Sequence, residues 1–138
     1  MADYAISTSI NGAGEKNGSQ QTPRGLHEIR VMIGSGAPRG AIFRRRRFTG
    51  EICTPEVLRN DPERDWITTR LLWLRGLEPG INRFGNVDTM RRYIYIHGTP
   101  RGDLIGRPAS RGCIRMRDDD IIELFDRVSM GTRVLIAD

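Results

Sequence analysis

The chain has 138 residues, the length of one domain with a proper buried core. Its formal net charge is +5 with a pI near 10.0, and Lys16 is the only lysine among 22 basic residues, which suits an anionic partner such as cell-wall polymer or nucleic acid. The 17 acidic residues are interspersed, which excludes a basic tail, and two distant cysteines make neither a disulfide framework nor a zinc site.

Tyr4 to Ile10 has strand composition, and Asn11 to Gly25 is a Gly/Ser/Asn/Gln-rich connection punctuated by Pro23. Leu26 to Ile33 alternates and ends at Gly34-Ser35-Gly36. Arg44 to Arg47 is expected to be a solvated edge that discourages strand pairing, with a binding patch as the alternative. Trp66 to Leu74 has apolar residues on both faces, as in a buried strand. Arg92 to Ile96 is the clearest strand: Tyr93 and Tyr95 face one way, Ile94 and Ile96 the other, and its end delivers His97 to the rim of a sheet. A helix is predicted over Asp119 to Val128, with Ile121, Ile122, Phe125 and Val128 on one side, Asp118 as N-cap and Gly131 as the stop. Arg133 to Ala137 closes as a strand. The expected fold is mostly β: a β-sandwich or flattened barrel of mixed strands with one packed α-helix. The N-terminus has no apolar stretch and no cleavage signal, so no signal peptide is expected in this chain, and no segment could span a membrane.

Chemistry concentrates in two glycine-flanked segments, Ile96-His97-Gly98-Thr99-Pro100 and Ser110-Arg111-Gly112-Cys113-Ile114-Arg115-Met116. The chain has two histidines and two cysteines, and one of each falls here. A thiol is a strong nucleophile only as thiolate, so it needs a base or a positive field; His97 can be the base and the arginines the field. The bland readings differ: a free cysteine is usually a buried small hydrophobe, and His97 alone would be a strand-end surface histidine. Cys53 is expected to be an inert structural thiol, pairing with Cys113 being the alternative. His27 is expected to be structural, and Met116, Tyr93 and Tyr95 to serve packing.

The segment His97 to Met116 resembles the signature of the YkuD-type L,D-transpeptidases, in which a His-Gly-Thr run precedes a Ser-His-Gly-Cys run. The likeness extends to Ile6-Ser7-Thr8-Ser9, Arg47-Phe48-Thr49-Gly50, Leu72-Trp73-Leu74, Gly76-Leu77-Glu78-Pro79-Gly80 and Gly131-Thr132-Arg133-Val134, so it covers nearly the whole chain. One departure is plain: Arg111 stands where the family usually has histidine. The resemblance implies that residues 1–138 form a single catalytic domain acting on peptidoglycan stem peptides. It also implies no metal or organic cofactor, thiol acylation by carbapenems, and a periplasmic or cell-wall-associated location.

On that resemblance Cys113 would attack a peptide carbonyl to give a thioester, and His97 would take the thiol proton and later deprotonate the acceptor amine. The Gly98 backbone carbonyl would orient the imidazole. Gly112 and Cys113 N–H groups are candidates for the oxyanion hole, with Ser110, Arg111 and Thr99 as further oxyanion or substrate contacts. A guanidinium cannot be a base, so Arg111 would lower the thiol pKa or bind a substrate carboxylate, held in place by Asp103 or Asp118 to Asp120. Arg115 would hold a stem-peptide carboxylate or an Asp of the following helix. Water in place of the amine would make an L,D-carboxypeptidase, and a catalytically silent wall-binding module is the reading of a different class. Nucleic-acid binding is weak, because aromatic residues are not interleaved with the basic run. The expected partner is therefore the stem peptide, with no nucleic acid, and the chain is expected to be a monomer.

Overall fold

The computed structural model describes residues 2–138. Its strands, in chain order, are β1 (Ile6–Ser7), β2 (Gly25–Ile33), β3 (Ala41–Arg44), β4 (Arg47–Ile52), β5 (Ile67–Gly76), β6 (Tyr95–Thr99), β7 (Ile114–Arg117) and β8 (Arg133–Ile136). They form one curled, half-barrel sheet in the order β1-β7-β6-β5-β2-β8, with β3 hydrogen-bonded to the start of β5 and β4 to β3. Every pairing of named strands is antiparallel except β6 with β7. That parallel pair needs a crossover, and residues 100–113 supply it and carry the cysteine.

Alternation along the central strands divides the sheet into two faces. Leu72 and Leu74 of β5, Ile94 and Ile96 at β6, and Ile114 and Met116 of β7 point to one side, where they join Ile29 and the apolar stripe Ile121 and Phe125 of α2 (Asp118–Arg127). Full burial of such side chains stabilises the fold by about 1.5–3 kcal/mol each. The intervening residues Leu71 and Trp73 of β5, Tyr95 and His97 of β6, and Cys113 and Arg115 at β7 point to the opposite side. A short helix α1 (Pro55–Asn60), capped by the Thr54 hydroxyl accepting from the Val57 N–H, follows β4.

Several boundaries differ from the sequence expectation, each for a local reason. The strand expected over Tyr4 to Ile10 is only β1, because the Thr8 carbonyl accepts from Ala109 and Ser110 N–H instead of continuing the ladder. Arg92 to Ile96 does not begin as a strand: Asp88 accepts from the Phe84 and Arg91 N–H groups and holds residues 91–93 in a turn, with Tyr93 at φ 57°. β6 therefore starts at Tyr95 and runs on to Thr99, so His97 lies mid-strand with no exposed surface, not at a rim. Arg44 to Arg47 is largely exposed and leads into the edge strand β4, which pairs only with β3, so the solvated edge is as expected, but the segment is itself paired. It is the tip of the β3–β4 hairpin, with Arg45 and Arg46 at φ 50° and 65° as a two-residue turn of this hand requires. Asp118 is the first residue of α2 and not its cap; its Oδ1 accepts from the Thr68 and Thr69 hydroxyls at 2.6 and 2.5 Å, tying the helix to β5. Thr69 sits at φ 75° where the β5–β6 register slips, a strained position for a β-branched residue that its bonds to Asp118 and Gly40 N–H hold in place.

Candidate active site

His97 is set between its neighbours by close packing. Gly98 lies so near the Thr68 carbonyl and Asp118 Oδ1 that a Cβ there would overlap both. His97 Nδ1 is 2.7 Å from the Gly98 carbonyl oxygen, and its Nε2 is buried without a partner. A carbonyl only accepts, so in the neutral ring Nδ1 carries the proton and Nε2 keeps its lone pair free. Burial holds the imidazole below its ordinary pKa; Asp65 and the Gly98 carbonyl oppose that shift, and Arg115 adds to it.

Arg115 is the register partner of His97 across the parallel pair, buried, and bridged to Asp65 at 2.7 Å. The expectation that it would hold an Asp of the following helix is corrected: its partner comes from the loop before β5. Cys113 precedes β7 and stands beside Tyr95, one two-residue step along the strands from His97. Its Sγ accepts from the Tyr95 N–H at 3.3 Å and its S–H can donate to the Tyr93 carbonyl at 3.4 Å. Among the described residues no hydrogen bond joins thiol and imidazole. Burial pushes the thiol up to about 12, opposed by the Tyr95 N–H and by the charges of Arg115 and Arg92, while Asp65 adds to the rise.

The loop carrying the cysteine is built from the inside. Buried Ser110 donates from Oγ to the Cys113 carbonyl at 2.5 Å and accepts from the Gly112 N–H at 3.3 Å. Gly112, at φ 124°, packs against Ile94 and the Gln21 carbonyl, and its own carbonyl accepts from Thr22 Oγ1. Ser110 thus supports the loop, and the Gly112 N–H is already engaged. Thr99 is buried with Oγ1 accepting from the Arg101 N–H.

Arg111 is exposed and, among the described residues, has no ion-pair partner. Of the carboxylates expected to hold it, Asp103 is used by Arg101, Asp119 by Arg39 and Asp118 by the two threonines, and Asp120 makes no bridge to it among the described residues. It lines a cavity of about 290 Å³ with Asp65, Thr99, Ser110 and Arg115, and a second of about 210 Å³ with Gln20 and Arg92. Cys53 and Cys113 are both free thiols. His27 has both ring nitrogens occupied, by the Gly25 carbonyl and the Thr89 hydroxyl at 2.9 Å each.

Two residues that bear on the site have no sequence signal. Arg92 donates to the Gly14, Glu15 and Gln21 carbonyls, fixing the loop that packs against Gly112 and setting a charge near the thiol. Asp65 lies in the run Asp61-Pro62-Glu63-Arg64-Asp65, where nothing separates it from any surface acid.

A family profile described as the L,D-transpeptidase catalytic domain, YkuD, matches residues 2–136. YkuD of Bacillus subtilis, a protein assigned to the L,D-transpeptidases, is 32% identical over 112 residues, which are 80% of this chain and 65% of that protein. ErfK/SrfK of Escherichia coli, assigned likewise, is 55% identical over 47 residues, 34% of this chain and 15% of that protein. The solved L,D-transpeptidase from Mycobacterium smegmatis superposes with a TM-score of 0.53 at 17% identity, covering 100% of this chain and 49% of that one. This chain thus spans less than two thirds of the length of each of these proteins. The structural likeness bears on the fold.

Proposed function

The chain belongs to the YkuD family of L,D-transpeptidase catalytic domains, and from that premise we propose that its 138 residues form one cysteine-dependent catalytic unit acting on peptidoglycan stem tetrapeptides outside the cytoplasmic membrane. The observation that carries the reading is a free thiol and a buried imidazole on one face of adjacent parallel strands, the imidazole held at Nδ1 and open at Nε2. Burial lowers the imidazole's pKa and pushes the thiol's up to about 12, so the resting pair is thiol and neutral imidazole.

In the first half-reaction Cys113 Sγ attacks the carbonyl that joins the L-centre of the donor's diamino acid to the terminal D-alanine. The thiol proton passes to His97 Nε2 as the S–C bond forms, and then to the leaving amine as the C–N bond breaks. The Gly98 carbonyl stabilises the transient imidazolium and keeps the ring aimed. In the second half-reaction an acceptor amine attacks the thioester and gives a proton to Nε2 as the new C–N bond forms, and Nε2 returns that proton to the sulfur as the C–S bond breaks, restoring the thiol. The Cys113 N–H is the backbone donor for the developing oxyanion, since the Gly112 N–H is committed to Ser110. Arg92 and Arg115 favour the thiolate once substrate contacts allow it to form. Arg111, Thr99 and Ser110 border the cavity beside the cysteine loop, where substrate would lie.

Product analysis with a disaccharide-tetrapeptide tests the reading. A cross-linked dimer is the expected product; tripeptide alone would make the enzyme an L,D-carboxypeptidase. No product, with the fold intact, would leave a silent wall-binding module. Among the described residues no helix is long and apolar enough to cross a membrane.

A further inference from the structure

Arg46 stands out among the guanidinium groups near the nucleophile. It is the second turn residue of the β3–β4 hairpin, in the left-handed conformation that aims its side chain back over the sheet. Its guanidinium lies 5.0 Å from the ring centroids of both Trp73 and Tyr93 and donates to the Tyr95 hydroxyl at 3.2 Å. Trp73 and Tyr95 are register partners, and Trp73 is further fixed by donating from Nε1 to the Met90 carbonyl at 3.0 Å. The aromatic cradle adjoins the cysteine: the Tyr95 N–H and the Tyr93 carbonyl are the two groups on Cys113 Sγ.

The other nearby arginines differ. Arg92 is spent on loop carbonyls and Arg115 on Asp65, and Arg111 lacks any cradle. Arg46 has no carboxylate partner among the described residues, although its fork is fixed from two sides, and the adjacent Tyr93 is 54% exposed. An orienting cradle without a counter-ion suits a ligand carboxylate, which a guanidinium can meet with two parallel hydrogen bonds.

We propose that Arg46, held on Trp73, Tyr93 and Tyr95, is a specificity-determining residue that binds a free carboxylate on the donor peptide beside the scissile bond. The proposal rests on the transpeptidase reading of the same site. It makes the enzyme selective for donors whose diamino acid carries a free side-chain carboxylate over the same donors with a carboxamide.

The test uses two synthetic tetrapeptides ending in diamino acid–D-alanine, identical except for carboxylate or carboxamide on the diamino acid. Dissociation constants are measured on Cys113→Ser, which cannot consume them, and on Cys113→Ser carrying Arg46→Gln or Arg46→Lys. The carboxylate peptide should bind about tenfold more tightly or better, the scale of one charge-assisted hydrogen bond. The preference should vanish with Arg46→Gln and survive in part with Arg46→Lys. Equal affinities, a preference that persists without Arg46, or no binding of either peptide would overturn the proposal. Wild-type turnover is scored separately. Turnover without preference sinks the role of Arg46 alone, whereas a preference in binding with no turnover sinks the catalytic reading and leaves the carboxylate site.

Discussion

The two faces of the β5–β6–β7 sheet are made of alternating residues of the same strands, yet they obey opposite rules. On the α2 side Leu72, Leu74, Ile96, Ile114 and Met116 have no polar atoms to satisfy, and burial alone holds them. On the other side Tyr95, His97, Cys113 and Arg115 are buried or half-buried polar groups, and the partner count separates their roles. His27, buried on β2, has a partner for each ring nitrogen. His97, equally buried, has one partner and one vacancy. Burial without a partner costs stability, and the free Nε2 is the observation that supports the proposed role of His97 in proton transfer.

The comparison breaks if substitutions on the two faces behave alike. Leu74→Ala, on the apolar face, should cost about 2–5 kcal/mol in urea unfolding, with residual acylation per folded molecule unchanged. His97→Ala should do the reverse, losing at least about 10²-fold in turnover, the scale of a lost general acid–base, with a much smaller change in unfolding midpoint. Comparable turnover across pH without this imidazole would move proton transfer elsewhere.

Titration sharpens the contrast. Burial holds the pKa of both histidines below the ordinary ~6.5. The unfolded chain therefore binds these protons first, so their contribution is intact above about pH 6.5 and is lost as pH falls below it. His97→Asn should flatten part of that acid limb in an unfolding series; an unchanged limb would mean His97 is not buried neutral. For Cys113 the sign is opposite. A thiol pushed up to about 12 stays protonated when the unfolded thiol ionises, so stability declines as pH rises beyond about 8.5. Alkylation of Cys113 should keep accelerating above that pH, and a plateau near neutrality would show a preformed thiolate.

The smallest expected effect belongs to Arg111. Exposed and unpaired among the described residues, it is not among the charges that act most strongly on the thiol, which are those of Asp65, Arg115 and Arg92. Arg111→Gln should leave the alkylation profile in place, whereas Arg92→Gln should move it to higher pH. A shift with Arg111→Gln would restore the tuning role that its sequence position suggests.

Much of this was legible in the residues. The run of apolar residues on both faces in Trp66 to Leu74 and the alternation of Tyr93 to Ile96 marked strands, the apolar stripe of α2 marked the helix, and the two glycine-flanked segments marked where Cys113 and His97 would lie. What was not legible depends on contacts distant in sequence. The Asp88 turn that delays β6, the diversion of Asp118 from capping to Thr68 and Thr69, and the Asp65–Arg115 bridge all join residues whose own neighbourhoods say nothing of the partner. The hairpin tip at Arg45 and Arg46 was missed because two arginines are an unusual choice for left-handed turn positions.

The central claim is that the face carrying His97 and Cys113 forms a covalent acyl-enzyme at Cys113. Intact-mass spectrometry after incubation with a carbapenem, followed by peptide mapping, tests it most directly. The account predicts a single adduct on Cys113 in the wild-type protein and in Cys53→Ser, and none in a folded Cys113→Ser, whose hydroxyl is far less ionised than a thiol. An adduct that persists in Cys113→Ser, or a wild-type protein that takes up none, would contradict it.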